Sequence, residues 1–596
     1  DILKKEIGIK VKKKRNKAKL YIYSIFAVTT VLSILFGLYI FYKSNLTLAV
    51  ISGILAYIPI SEIYIQILNY IFIKMVKPKV LPKLDFTNGI PKEYGTIVVI
   101  PTIIGNSEKV KELFRKLEIY YLANKSENLY FALLGDCTSS NNEIEEFDEE
   151  VVSTGIAESE RLNKKYGDKK FSFLYRKRTW NTGEHCYLGW ERKRGLLCEF
   201  NDYLVSGENK FKENNLDRTL EIKYVITLDA DTNLVLETAK QLVGAMAHIL
   251  NTPVLDKQRN VVIEGHALIQ PRVGVELNAS RKSIFTKIYA GSGGTDSYAN
   301  AISDVYQDNF DEGIFTGKGI YDLELFHKIL SKEIPENKVL SHDLLEGSYL
   351  RCGLASDILL LDGTPFKYSS YMVRGHRWVR GDWQICGWLK SKIKIKDRTT
   401  KINPLNKLAK FKIFDNLRRS LLSIFVILLI LSSVINFIIT KKFIWSINIL
   451  ALIAYSIPTL LDLVNFVIFK KNINPEFVSA HKNMVKVISG IQASIYRGIL
   501  EISFLPYKAY MMLNAITKTI YRLCITKQNL LEWMTSEEAE KQSKNTLNSY
   551  YKNMAINSIL GGIFIIIGII YTNIYLIIIG LLFAIGPFLA YFISQE

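Results

Sequence analysis

Three pairs of apolar runs constrain this chain more than any other feature of it. Residues 21–42 carry no charge and residues 46–73 only Glu62; residues 421–439 and 443–469 form a second pair, with Asp462 the one acid, and residues 554–571 and 574–593 a third. The first two runs exceed the roughly 20 apolar residues that a helix needs to cross a bilayer. Three helical hairpins are therefore expected, with both chain ends on one side. The Lys-rich stretches at residues 4–19 and 74–83 put that side in the cytoplasm by the positive-inside rule. The expected organisation is a basic cytosolic segment at 1–20, a hairpin at 21–76, a cytosolic domain at 77–416, a hairpin at 417–470, interfacial helices at 471–552 and a hairpin at 553–596. That makes a multi-pass protein of the cell's inner membrane.

Composition agrees. A content of 49% hydrophobic residues is too apolar for a soluble enzyme. The net charge of +19 clusters beside the spans rather than on one soluble face, which argues against nucleic acid and for anionic lipid headgroups and an anionic nucleotide-sugar. The six cysteines show no metal-ligand spacing and read as reduced thiols of a cytosolic compartment. The chain opens on Asp1 rather than Met, which reads as a fragment. Residues 482–527 are apolar but interrupted by Lys486, Arg497, Glu501, Lys508, Lys518 and Arg522. Amphipathic helices on the inner leaflet, divided at Pro506, are expected there, with a seventh span left open.

Between the first two hairpins, β-branched runs alternate with charged helical patterns, the mark of an α/β domain with a mostly parallel sheet. Strands are expected at residues 95–101, 129–135, 171–175, 224–228 and 261–270. Ligands of open α/β sheets bind beyond the carboxyl ends of the strands, and here those ends carry acids. The run YVITL is followed by Asp229-Ala230-Asp231, two carboxylates suited to a hard divalent cation, Mg2+ or Mn2+, that would bridge the phosphates of a nucleotide-sugar. Asp136 follows LYFALLG, where a base or ribose would be held; an Asx turn accounts for it equally.

Downstream, residues 341–388 collect acids, arginines and tryptophans. Asp343 and Glu346 begin a helix, where a carboxylate can take a proton from an attacking hydroxyl. Arg374 and Arg377 match phosphate oxygens, and Trp378 and Trp383 offer faces for a sugar ring. The basic clusters 176–178 and 192–194 read as mostly solvated, with Lys193 or Arg194 the residue to neutralise a diphosphate. Gly317 lies in a glycine-flanked turn where backbone can approach a sugar. The run Gly291 to Thr295 reads as a linker or a lid.

The order of these motifs resembles that of the processive family 2 glycosyltransferases, whose fold is GT-A. Ser341-His342-Asp343 stands where that family has a TED motif, and Arg374-Gly375-His376-Arg377-Trp378 where it has QxxRW, with His342 and Arg374 as departures. The strings WERKRGLL, SDVYQDNFDEGIFTGKGIYD, SHDLLEG, HRWVRGDWQ and FLPYKAYMMLNAITKTIYRLCITKQNLLEW resemble the glycosyltransferase region of the cyclic β-1,2-glucan synthases. That resemblance implies a UDP-glucose donor, inversion at the anomeric carbon and a growing β-1,2-glucan acceptor. In its terms Asp343 is the base and Asp229 and Asp231 hold the metal; together with the residue patterns, Asp136, Asp229, Lys193, Arg194, Arg374 and Arg377 are expected to bind the donor. The acceptor falls to Trp378, Trp383, Glu346 and Gly317. It also implies a glycoside phosphorylase-like domain beyond this chain. Spans rich in Ile and Leu suit an anchor better than a pore, which leaves export to a separate protein. Two other readings stay open: a cellulose- or hyaluronan-type synthase that secretes its own polymer, and a non-catalytic membrane-tethered sugar-binding protein.

Overall fold

The computed structural model describes residues 17–167, 169–289, 304–397, 399–469, 491–532, 540–541 and 543–596. The basic segment before residue 17 and the glycine-rich run Gly291 to Thr295 lie outside them. Two apolar helices, α1 (Lys17–Lys43) and α2 (Leu46–Met75), form the first hairpin. Asn45 caps α2 by accepting a hydrogen bond from the Leu48 amide at 2.9 Å.

A nine-stranded mixed sheet follows. Its strands are β1 (Thr96–Ile104), β2 (Leu129–Cys137), β3 (Phe171–Arg176), β4 (Phe211–Asn214), β5 (Tyr224–Thr227), β6 (Thr232–Leu234), β7 (Leu268–Val275), β8 (Gly319–Asp322) and β9 (Gly353–Asp362). They lie in the order β4-β3-β2-β1-β5-β8-β7-β9-β6. Strands β1, β2, β3 and β5 are mutually parallel, as are β7 and β9, whereas β4, β8 and β6 run against their neighbours. The central runs of Val, Ile and Leu are buried on both faces, as a sheet covered on both sides requires. Ile97 and Val99 enter one core with Leu196 and Phe200, while Val98 and Ile100 enter the other with Leu113 and Phe114. On that second face pack α3 (Ser107–Ala123), α4 (Phe147–Tyr166) and α6 (Thr238–Ala247); on the first lie α5 (Arg192–Ser206) and α7 (Asp343–Tyr349).

The strand expected at 261–270 is two strands. Val261–Glu264 belongs to a separate ribbon and Leu268–Val275 to the main sheet. The chain turns between them at Gly265, whose φ is 63° and where a Cβ would strike the Thr252 carbonyl oxygen at 1.9 Å. Only glycine fits that junction.

After α8 (Tyr368–Gln384) come α9 (Lys407–Thr440) and α10 (Trp445–Phe469), then α11 (Ile491–Tyr521), α12 (Leu547–Asn553), α13 (Ala555–Ile570) and α14 (Ile574–Ile593). Helices α1, α2, α9, α10 and α14 are long and apolar enough to cross a membrane, and α12 with α13, bent by 71°, counts as a sixth if taken as one broken span. Residues of α2, α9, α10, α11, α13 and α14 share one apolar core. Glu62 of α2 pairs with Arg418 of α9 at 2.7 Å, and Arg418 also holds Asp415 at 2.8 Å.

Helix α11 corrects the expected break at Pro506, because it runs unbroken through that residue. Proline removes a helical donor and its ring pushes the preceding turn open. Here Asn557 of α13 repairs the damage: its Oδ1 accepts from the Tyr507 amide at 2.8 Å and its Nδ2 donates to the Ser503 carbonyl at 2.6 Å. All six cysteines are free thiols.

Candidate active site

The site forms where the carboxyl end of β5, the turn before β8 and the start of α7 converge. Antiparallel pairing of β5 with β8 aligns Thr227 with Gly319, which brings the Phe315 to Gly319 turn over Asp229. Gln270 of β7 holds that turn by accepting from the Thr316 amide at 3.0 Å. Gly317 has φ 89°, and a Cβ there would lie 2.9 Å from Asp343 Oδ1, so backbone and carboxylate are in close contact. Lys193, in the first turn of α5, donates to the Gly317 carbonyl at 2.9 Å and to Asp229 Oδ1 at 2.5 Å. Three of the residues expected in the site, Lys193, Asp229 and Gly317, thus meet at one ammonium group, with Asp343 against Gly317.

Two residues that sequence reasoning missed complete this cluster. Lys318 reaches Asp229 Oδ2 at 3.1 Å and forms a short ion pair with Asp362, whose other oxygen accepts from Thr232 Oγ1 at 2.6 Å. Asp362 arrives because β9 pairs with β6, opposing Asp362 to Thr232. Both oxygens of Asp229 are therefore held by lysines, one each. Burial would raise its pKa, but Lys193 and Lys318 keep its carboxyl well below the usual range. Asp231 differs: burial raises its carboxyl despite Lys318, and Asp362 and Asp229 add to the rise. Among the described residues its side chain makes no ion pair.

The donor set is thus oxygen only, which suits a hard cation such as Mg2+ or Mn2+. Asp231 is the carboxylate that could hold one, with Asp229 already neutralised on both sides.

Asp343 retains about 29% of its side-chain surface, open to the cleft. Burial raises its pKa, opposed by His342 and Lys193 and reinforced by Glu346 and Asp229. Arg377 of α8 faces the same acids. Burial and the neighbouring Arg374 push its guanidinium down to about 10, against the pull of Asp229, Asp231 and Asp343. Arg374 stacks 4.5 Å above the Trp378 ring, so one face of that indole is already covered by a cation.

Other expected site residues lie elsewhere. Asp136 is buried and accepts from Arg176 Nε at 2.9 Å. Arg176 in turn donates to the carbonyls of Trp190 at 2.7 Å and Arg192 at 3.0 Å. These bonds brace the strained entry to α5, where Glu191 and Arg192 both have φ of 54°. Asp136 thereby helps to aim Lys193. Arg194 is buried against Glu191 and Trp190. Glu346 is buried beneath His342, and Trp383 donates to Ser420 Oγ of α9 at 3.0 Å. The basic clusters depart from the solvated expectation, since Arg176, Arg178, Arg192 and Arg194 are all buried. Arg178 meets Asp148 in a short ion pair, so acids distant in the sequence account for Arg176 and Arg178, whereas Arg194 pairs with Glu191 three residues before it.

No protein-family model matches the chain. It is 35% identical over 558 residues to the cyclic β-(1,2)-glucan synthase NdvB of Rhizobium meliloti (strain 1021). The alignment takes in 90% of this chain and spans 19% of that protein's length.

Proposed function

Taking the chain as a relative of the cyclic β-1,2-glucan synthases, we propose that it is a membrane-anchored inverting glycosyltransferase of GT-A type that polymerises glucose from UDP-glucose into β-1,2-glucan. One observation carries the reading: Asp343 lies against Gly317 while Lys193 ties the Gly317 carbonyl to Asp229. A proton acceptor and a charge-neutralising group for a diphosphate thereby meet in one cleft.

The acceptor hydroxyl gives its proton to Asp343 as its oxygen bonds to C1 of the donor glucose. The bond from C1 to the β-phosphate oxygen breaks, and its electron pair leaves with UDP. Attack from the face opposite UDP converts an α-linked donor into a β-linked product. Arg377, with Arg374 and Lys193, offsets the charge growing on the leaving diphosphate. Asp231, with Asp229 beside it, would hold a divalent cation, which when bound supplies further charge neutralisation to the diphosphate. The face of Trp378 opposite Arg374 would stack under the acceptor glucose.

The test is to incubate the purified full chain in detergent with labelled UDP-glucose and Mg2+ or Mn2+, beside Asp343→Asn, and to digest any polymer with a β-1,2-specific glucanase. A digestible polymer absent from the variant is expected. A polymer that resists the enzyme would overturn the linkage, and turnover by Asp343→Asn would remove Asp343 as the base.

A further inference from the structure

Next to the base stands a side chain that the proposed mechanism does not use. His342 is buried, and its Nδ1 lies 2.7 Å from Glu346 Oε1 and 3.6 Å from Asp343 Oδ1. Glu346 is itself buried at the far end of the same helical turn, so the imidazole is clamped between two carboxylates with one nitrogen turned to both. We infer that His342 is a positioning residue for Asp343: held by Glu346, it sets a cationic ring beside the base and aims it at the acceptor. The inference rests on Asp343 being the base.

The charges around the pair come from three further elements. Lys193 of α5 faces both His342 and Asp343, Asp229 beyond β5 faces Asp343, and Arg377 of α8 faces Asp343. Burial works against the imidazolium, and Glu346 and Asp343 more than offset it, so His342 is raised above the ordinary histidine value. The two carboxylates therefore favour its charged form. Burial also favours the protonated, inactive form of Asp343, and the His342 charge is the largest force opposing it. A neutral residue at 342 removes that force and raises the pKa of Asp343. Activity, which needs the carboxylate, is then lost at a higher pH on acidification.

The experiment is the pH profile of kcat/KM for the full chain in detergent with UDP-glucose, with UDP binding measured alongside. His342→Gln keeps a donor to Glu346 but no charge, and its acid limb is expected to move up by about 1 unit while UDP binding persists. His342→Lys keeps a cation, and its limb is expected to stay in place. Equal limbs in wild type and His342→Gln, or equal upward shifts in both variants, would overturn the inference. If His342→Gln fails to bind UDP, the lysine variant decides: an unmoved limb supports a role for charge, and a raised one refutes it. Asp343→Asn separates the two levels, because turnover there defeats the base assignment itself, whereas an inactive Asp343→Asn beside an unshifted His342→Gln defeats only the role of His342.

Discussion

Gly317 is the residue at which conformation and chemistry meet most tightly. Its positive φ strains any side chain, and the space a Cβ would fill is already taken by the Asp343 carboxylate. Its carbonyl also holds Lys193 in place beside Asp229. Gly317→Ala is therefore expected to push the base away from its attack position, and a displacement of that size costs about 100-fold in kcat. UDP binding should fall much less, since Asp231 and Arg377 are untouched. A variant with unchanged kcat would show that the contact between turn and base has no part in catalysis. What was legible here is local: a strand running straight into Asp229 and a helix beginning at Asp343 are patterns within a few residues. Lys318 and Asp362 were not legible, because sheet order brings them together from positions far apart in the chain. The buried arginines misled for a related reason. For two of them the acids, Asp136 for Arg176 and Asp148 for Arg178, lie on another strand and helix, and composition alone reads such clusters as surface.

Among the elements, α11 shows how far a breaker residue depends on its neighbours. Pro506 was legible as an interruption, and an isolated helix would bend or end there. The repair comes from Asn557, on a helix that follows much later, and no periodicity announces it. Asn557→Leu leaves the Tyr507 amide and the Ser503 carbonyl buried without partners, and each such group costs about 1–3 kcal/mol. Pro506→Ala should relieve the ring's clash with the preceding turn and allow those groups to bond within the helix. A thermal melt in detergent of both single variants and the double variant checks this. The loss from Asn557→Leu should be much smaller in the Pro506→Ala background. Equal losses in the two backgrounds would mean that Asn557 serves packing rather than the proline.

At the scale of the whole molecule, the apolar pairs were the clearest signal in the chain, yet they gave no hint that α9 belongs to both halves. Its first turns supply Ala409 and Ile413 to the core of the α/β domain, while its later turns enter the core of the helical bundle. Lys412 is the joint. Its ammonium is buried, bonds to Glu312 Oε1 at 3.0 Å and to the Gly313 carbonyl at 2.8 Å, and so grips the segment that leads directly into the Phe315 to Gly319 turn. Asn406 adds a bond to Glu312 at 3.1 Å, and Asn416 one to Asp382 of α8 at 2.8 Å. Removing one partner of a buried ion pair costs about 3–5 kcal/mol, because the other charge is left without compensation. Lys412→Met should therefore lower the melting temperature of the detergent-solubilised chain. If α9 sets the position of the turn, the same variant should lower kcat below the melting range, since Gly317 and Lys318 ride on the loosened segment. Glu312→Gln with Lys412→Met removes both charges, and it should recover stability more than it recovers kcat. A single variant that melts lower but turns over at the wild-type rate would make α9 a support for the fold and not a coupling between the bundle and the site.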